Sequence, residues 1–132
     1  MSNKKILVVE DDSDVRLGYR VLLKAHGYDT YFATDSTSAV SEARKHLPDL
    51  IILDLGLPAG DGLLVLDRYR ANSFLSAVPV IVVSARDLHG NKERALTGGA
   101  QAYVQKPFDD DELLALIRAQ LGEPCHAVVG AA

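Results

Sequence analysis

Three apolar runs without polar interruption constrain this chain most: Ile6-Leu7-Val8-Val9, Leu50-Ile51-Ile52-Leu53 and Val80-Ile81-Val82-Val83. A strand with one face in water alternates apolar and polar side chains, whereas a run of Val, Ile and Leu suits a strand covered on both faces. Two weaker runs, Asp29 to Ala33 and Ala102 to Val104, complete a set of five predicted strands beginning with Lys5 to Val9. Helical spacing fills the intervals. Val15, Tyr19, Leu22 and His26 recur on one helical face, with Gly27 as the stop, and Val40, Ala43 and Leu47 repeat the pattern up to Pro48. Leu63 to Tyr69, Asn91 to Thr97 and Asp109 to Leu121 read as three further helices, the last with Leu113, Leu114, Ile117 and Leu121 inward. Strict strand–helix alternation implies an α/β fold, a parallel sheet with helices on both faces. Right-handed crossovers favour a doubly wound (βα)5 arrangement with strand order 2-1-3-4-5.

The chain has 132 residues, 48% of them hydrophobic, enough for one core without a metal or disulfide staple. We expect one domain over residues 1–122 and a loose tail over 123–132, where periodicity ends. The lone Cys125 has no partner for an internal disulfide, and no segment reads as a signal peptide or membrane span. A cytoplasmic, soluble protein is expected. With 14 basic and 18 acidic residues the net charge is −4, and no basic stripe suggests direct nucleic-acid binding. His26, His46, His89 and His126 lack metal-ligand spacing and read as surface residues.

In a sheet of this order, ligands bind beyond the carboxyl ends of the strands, where the winding reverses. The first strand runs out into Glu10-Asp11-Asp12, the third into Asp54, the fourth into Ser84, and the fifth ends near Lys106. Several carboxylates, a hydroxyl and an ammonium thus share one rim. Clustered carboxylates repel one another unless a cation intervenes, and an all-oxygen set suits a hard ion, Mg²⁺ better than Ca²⁺. Asp12 and Asp14 are better read as helix-capping and dipole-facing acids. Asp54 alone is ambiguous, since acids are common where a loop begins.

Its neighbours sharpen it. The span Lys5 to Leu121 resembles the receiver domain of bacterial two-component response regulators, a flavodoxin-like fold. Glu10-Asp11 is similar to that family's acidic pair, and Asp54 with Pro58 to its phosphoacceptor motif. Ser84-Ala85 matches its hydroxyl residue, and Lys106-Pro107-Phe108 its lysine and a proline prone to the cis form. The resemblance implies that Asp54 is the phosphoacceptor. Mg²⁺ would be held by Asp11, Asp54 and the Gly56 carbonyl, with Glu10 acting through metal-bound water. Lys106 would pair with Asp54 and then with a phosphoryl oxygen, which Ser84 would also contact. Tyr103 either rotates with the switch or simply packs against the fourth helix. Gly56 and Arg86 occupy the positions that tune the lifetime of the phosphorylated state; Arg86 either covers the phosphoryl group or lies in solvent. A sensor histidine kinase or histidine phosphotransfer protein would be the donor. The output would lie in a downstream effector or an output domain beyond this sequence.

Three rival readings remain open here. A phosphorylation-independent pseudo-receiver would lack the acids or Lys106, and none is lacking. A haloacid-dehalogenase-type phosphatase carries a second aspartate two residues after its nucleophile, where this chain has Gly56. A flavodoxin-like flavin binder has a phosphate-cradling loop after its first strand, which this chain lacks. The resemblance also bears on assembly. Winged-helix members of the family dimerise through charges near the fifth strand and fifth helix, where this chain has Gln101, Ala102 and Leu116, leaving Arg94 and Arg118 as the available bases.

Overall fold

The computed structural model describes residues 3–57, 61–85 and 90–123. Five strands, β1 (Lys5–Val9), β2 (Asp29–Ala33), β3 (Leu50–Asp54), β4 (Val80–Ser84) and β5 (Ala102–Gln105), alternate with five helices. The helices are α1 (Ser13–Ala25), α2 (Ser36–His46), α3 (Asp61–Ala71), α4 (Asn91–Thr97) and α5 (Asp110–Leu121). All ladders are parallel and the order is β2-β1-β3-β4-β5, as the alternation implied. The predicted third helix extends at both ends, and β3, β4 and β5 each gain a residue at the rim.

Every residue of β3 and β4 is buried, which is what their uninterrupted apolar composition requires. Alternate strand residues feed two separate cores. Leu7, Val9, Ile51, Leu53, Val80 and Val82 pack under α2, α3 and α4, with Ala39, Ala43, Leu66, Tyr69 and Ala95. Ile6, Val8, Leu50, Ile52, Ile81 and Val83 pack under α1 and α5, with Tyr19, Leu23, Leu113, Leu114 and Ile117. Each fully buried Leu or Ile contributes roughly 1.5–3 kcal/mol relative to exposure.

Several helix details differ from the periodic reading. Leu23, not His26, shares the buried face of α1 with Tyr19, because His26 already lies beyond the last turn. Leu47 is exposed: it ends α2 in a left-handed conformation (φ 48°), which swings it off the helical face, while Ala39 and Ala43 are buried. His46 is half-buried rather than on the surface; its ring stacks on Tyr31 at 3.9 Å and bonds Glu42 at 3.0 Å. Glu123, expected to open a loose tail, is tied to Tyr28 by a 2.6 Å hydrogen bond. Pro58, Arg86, His89, Cys125 and His126 lie outside the described residues.

Candidate functional site

Strand register assembles the site. Val9 pairs with Leu53, so Glu10 leaves β1 beside Asp54, the last residue of β3. Asp54 pairs with Val83, placing Ser84 at the adjacent rim, and Ser84 pairs with Gln105, which puts Lys106 next to both. The Lys106 amide donates to the Ser84 carbonyl at 2.7 Å, and the Lys106–Pro107 bond is cis, as the motif implied. Parallel strands make one rim of these four positions.

Apart from tyrosines, Glu10, Asp54 and Ser84 are the only buried polar residues among those described, at 2%, 7% and 5% exposure. Burying carboxylates is costly unless they are paired, and these are. Lys106 Nζ donates to Asp54 Oδ2 at 2.9 Å and to Glu10 Oε1 at 3.4 Å. The Gly56 amide donates to Asp54 Oδ1 at 2.7 Å, and the Asp12 amide donates to Glu10 Oε2 at 3.2 Å. A Cβ added at Gly56 would stand 3.1 Å from Asp54 Oδ1, so glycine there leaves that face of the carboxylate open.

The two acids divide their protonation. Burial pushes Glu10 up to about 8, helped by its hydrogen bond to Asp54 and by the Asp54 charge. Burial would push Asp54 up too, but the bonds from Glu10, the Gly56 amide and Lys106 outweigh it and hold Asp54 below the usual carboxylate range. Burial opposes the Lys106 charge, yet Asp54 and Glu10 together raise its pKa. The surroundings therefore favour the neutral form of Glu10 and the charged form of Asp54, beside the Lys106 ammonium. That is a poised oxygen nucleophile.

Asp11 follows Glu10 but is exposed, and no group of three metal-ligating side chains converges among the described residues. The expected carboxylate trio is thus present as a close pair with its third member one residue along. Asp12 caps α1, accepting from the amides of Asp14 (2.8 Å) and Val15 (3.1 Å), as expected. Tyr103 is half-buried and packs against the core layer that holds Ala95 of α4, a placement compatible with either of its two readings. Sequence reading missed Arg16, whose Nη1 donates to the carbonyls of Glu10 (3.0 Å) and Asp11 (2.8 Å) and braces the acidic loop. Its only signal was a base one helical turn after paired acids. Beside the site, a cavity of about 660 Å³ opens between α1 and the start of α5, lined by Val15, Gly18, Tyr19, Leu22, Lys106 and Phe108 among others.

Comparison with known proteins agrees with this geometry. The sequence profile of the response regulator receiver domain matches residues 6–118. The transcriptional regulatory protein KdpE of Mycobacterium tuberculosis is 43% identical over 114 residues, covering 86% of this chain and 49% of that protein. The polar-differentiation response regulator DivK of Brucella anthropi is 35% identical over 120 residues, covering 91% of this chain and 98% of that one. The chain therefore spans about half the length of KdpE but nearly all of DivK. Among solved structures, the receiver domain of a sensor histidine kinase from Pseudomonas aeruginosa, with magnesium coordinated in its active-site cleft, superposes with a TM-score of 0.84 at 30% identity. That match covers 92% of this chain and 100% of the other.

Proposed function

Because the chain belongs to the receiver-domain family of two-component response regulators, we propose that it takes a phosphoryl group onto Asp54 from the phosphohistidine of a sensor kinase or phosphotransfer protein, or from a small donor. The observation that carries this reading is the Asp54 carboxylate held between the Lys106 ammonium and the Gly56 amide. An Asp54 oxygen forms the new O–P bond as the donor's P–N bond breaks, and the bonding pair leaves with the imidazole nitrogen. Lys106 then moves its ammonium from Asp54 to a phosphoryl oxygen, and Ser84 offers its hydroxyl to another. The chain catalyses only its own phosphorylation and dephosphorylation.

The residues fit Mg²⁺. The Glu10 and Asp54 carboxyls crowd against a single ammonium, and Asp11 stands one residue along, an all-oxygen set with room for a hard cation. Asp11, Asp54 and the Gly56 carbonyl would hold the ion, with Glu10 acting through its water; the ion supplies positive charge to the phosphoryl oxygens. Asp54 and Lys106 provide the nucleophile and its counter-charge whatever the donor. Gly56 and Arg86 are the positions we assign to setting the phosphoryl lifetime.

The cavity between α1 and α5 is the approach we assign to a histidine-bearing donor, since it is apolar and ends at Lys106. Output passes to an effector, either a separate protein or a further domain, and this domain does not itself contact nucleic acid. A cytoplasmic location goes with that role; no described helix is long and apolar enough to cross a membrane. The pseudo-receiver reading is not favoured, because Glu10, Asp54 and Lys106 are joined into one site. Incubation with acetyl phosphate and Mg²⁺ should add one phosphoryl mass to the wild type and none to Asp54→Ala. A labelled peptide lacking Asp54 would overturn the assignment.

A further inference from the structure

β2 is an outer strand of the sheet, bonded to β1 on one side alone. The Asp29 amide donates to the Lys4 carbonyl at 3.0 Å, and the Glu10 amide donates to the Ala33 carbonyl at 2.9 Å. Backbone groups alternate sides along a strand, so Asp29, Tyr31 and Ala33 face β1, while Thr30 and Phe32 turn their N–H and C=O groups outward. Beside this open edge a second cavity, of about 280 Å³, lies between α1 and β2, lined by Arg20, Lys24, Tyr28, Asp29, Thr30 and Tyr31. Sites for whole small molecules run to roughly 300–1,000 Å³, so this one suits a single side chain.

The lining has one chemical sense. Arg20 and Lys24 stand one turn apart on α1, and among the described residues neither pairs with a carboxylate. The Arg20 guanidinium carbon lies 5.2 Å from the centre of the Phe32 ring, which holds that charge beside the edge. Asp29 is the acid of the lining, and its Oδ1 accepts from Asn3 Nδ2 at 3.3 Å. The Thr30 hydroxyl oxygen is buried without a hydrogen-bond partner among the described residues. Two cations without a counter-charge and an orphan hydroxyl, set beside free backbone groups, all lack the same thing: a carboxylate carried on an extended chain.

We propose that β2 is a docking edge for an acidic, extended segment of a partner protein. The segment adds as a further strand along Thr30 and Phe32, and one of its carboxylates enters the cavity between Arg20 and Lys24, accepting from the Thr30 hydroxyl. Backbone bonds supply affinity for any extended chain, and the cavity supplies the preference for acid. Charges that merely guarded an outer strand against chance pairing would need neither a cavity nor an orphan hydroxyl.

The test uses two blocked peptides, Thr-Val-Glu-Val-Thr and its twin with lysine at the centre, each added at millimolar concentration to the isotope-labelled protein. The acidic peptide should slow amide exchange at Thr30 and Phe32 by about threefold or more and leave Tyr31, already turned to β1, unchanged; the lysine twin should protect neither. Arg20 and Lys24 are exposed, so Arg20→Glu combined with Lys24→Glu should keep the fold and invert the preference, the lysine twin becoming the tighter ligand by about fivefold. Thr30→Val should weaken the acidic peptide by about threefold. Equal protection by both peptides, protection by neither, or an unchanged preference in the charge-reversed variant would each overturn the proposal. Free glutamate that protected Thr30 as well as the peptide does would assign the cavity to a small anion and overturn strand addition.

Discussion

Gly18 offers a quantitative check on how the site's flank is built. It lies in the middle of α1, its backbone is outside the left-handed region, and a Cβ placed on it meets nothing within 4 Å. Glycine inside a helix costs about 1 kcal/mol relative to alanine, because it frees the unfolded backbone and contributes nothing to the helix. With no clash or strain to offset, Gly18→Ala should stabilise the domain by about 1 kcal/mol, or roughly 3–5 °C in Tm for a domain of this size. The same substitution should reverse sign elsewhere. At Gly62 the new Cβ would sit 2.8 Å from the Leu55 Cα, a backbone atom next to Asp54, and overpacking of that kind costs about 1–3 kcal/mol. At Gly99 it would sit 2.8 Å from the Arg70 side chain with φ at +107°. Thermal denaturation of the three variants should rank Gly18→Ala above wild type and the other two below it. A destabilised Gly18→Ala would mean that the open surface of α1 has been misread.

Three further outcomes are expected. Tyr69→Phe removes the buried hydroxyl that donates to the Ala39 carbonyl at 2.7 Å, so chemical denaturation should show a loss of about 1–1.5 kcal/mol with the denaturant slope unchanged. Asp35 caps α2, and bonds from the Ser38 amide and hydroxyl hold its pKa below the usual range. A depressed carboxylate stabilises above its unfolded pKa and loses that contribution as pH falls through its folded pKa, so an NMR titration should show Ser38 amide protection lost only well into acid, and Asp35→Asn should abolish that dependence. Light scattering with beryllofluoride should show no dimer that depends on Arg94 and Arg118. Gln101 accepts from the Val80 amide at 2.8 Å, and Leu116 packs on the core.

The strands and the rim chemistry were legible in the sequence for one reason: both follow from local runs. Apolar segments announce strands, and acids, serine and lysine at their ends fall together once the order is parallel. Contacts between distant segments left no such trace. Nothing near Glu123 points to Tyr28, and the stacking of His46 on Tyr31 joins two elements whose patterns are separately unremarked. Leu47 misled because periodicity continues one residue past the point where the backbone leaves the helix. That the charged form is favoured at Asp54 and disfavoured at Glu10 depends on the Gly56 amide and the position of Lys106, which are matters of ångströms and not of spacing.

The all-parallel ladders also set a schedule for folding. No strand pairs with a partner across a tight turn: the shortest sequence span runs from Ile81 to Ala102, and the longest from Ile6 to Leu50. Each pairing must close a long loop before it is rewarded, so the contact order is high and folding should be slow beside that of a helical bundle of equal size. During synthesis β1 has β2 as its first available partner, but the central β1–β3 ladder waits until Leu53 has emerged, and β3 stays open on its other edge until β4 follows. The rim that joins Glu10, Asp54, Ser84 and Lys106 is therefore completed last, with β5 and Lys106. A nascent chain acquires its acidic pair early and its counter-charge only at the end.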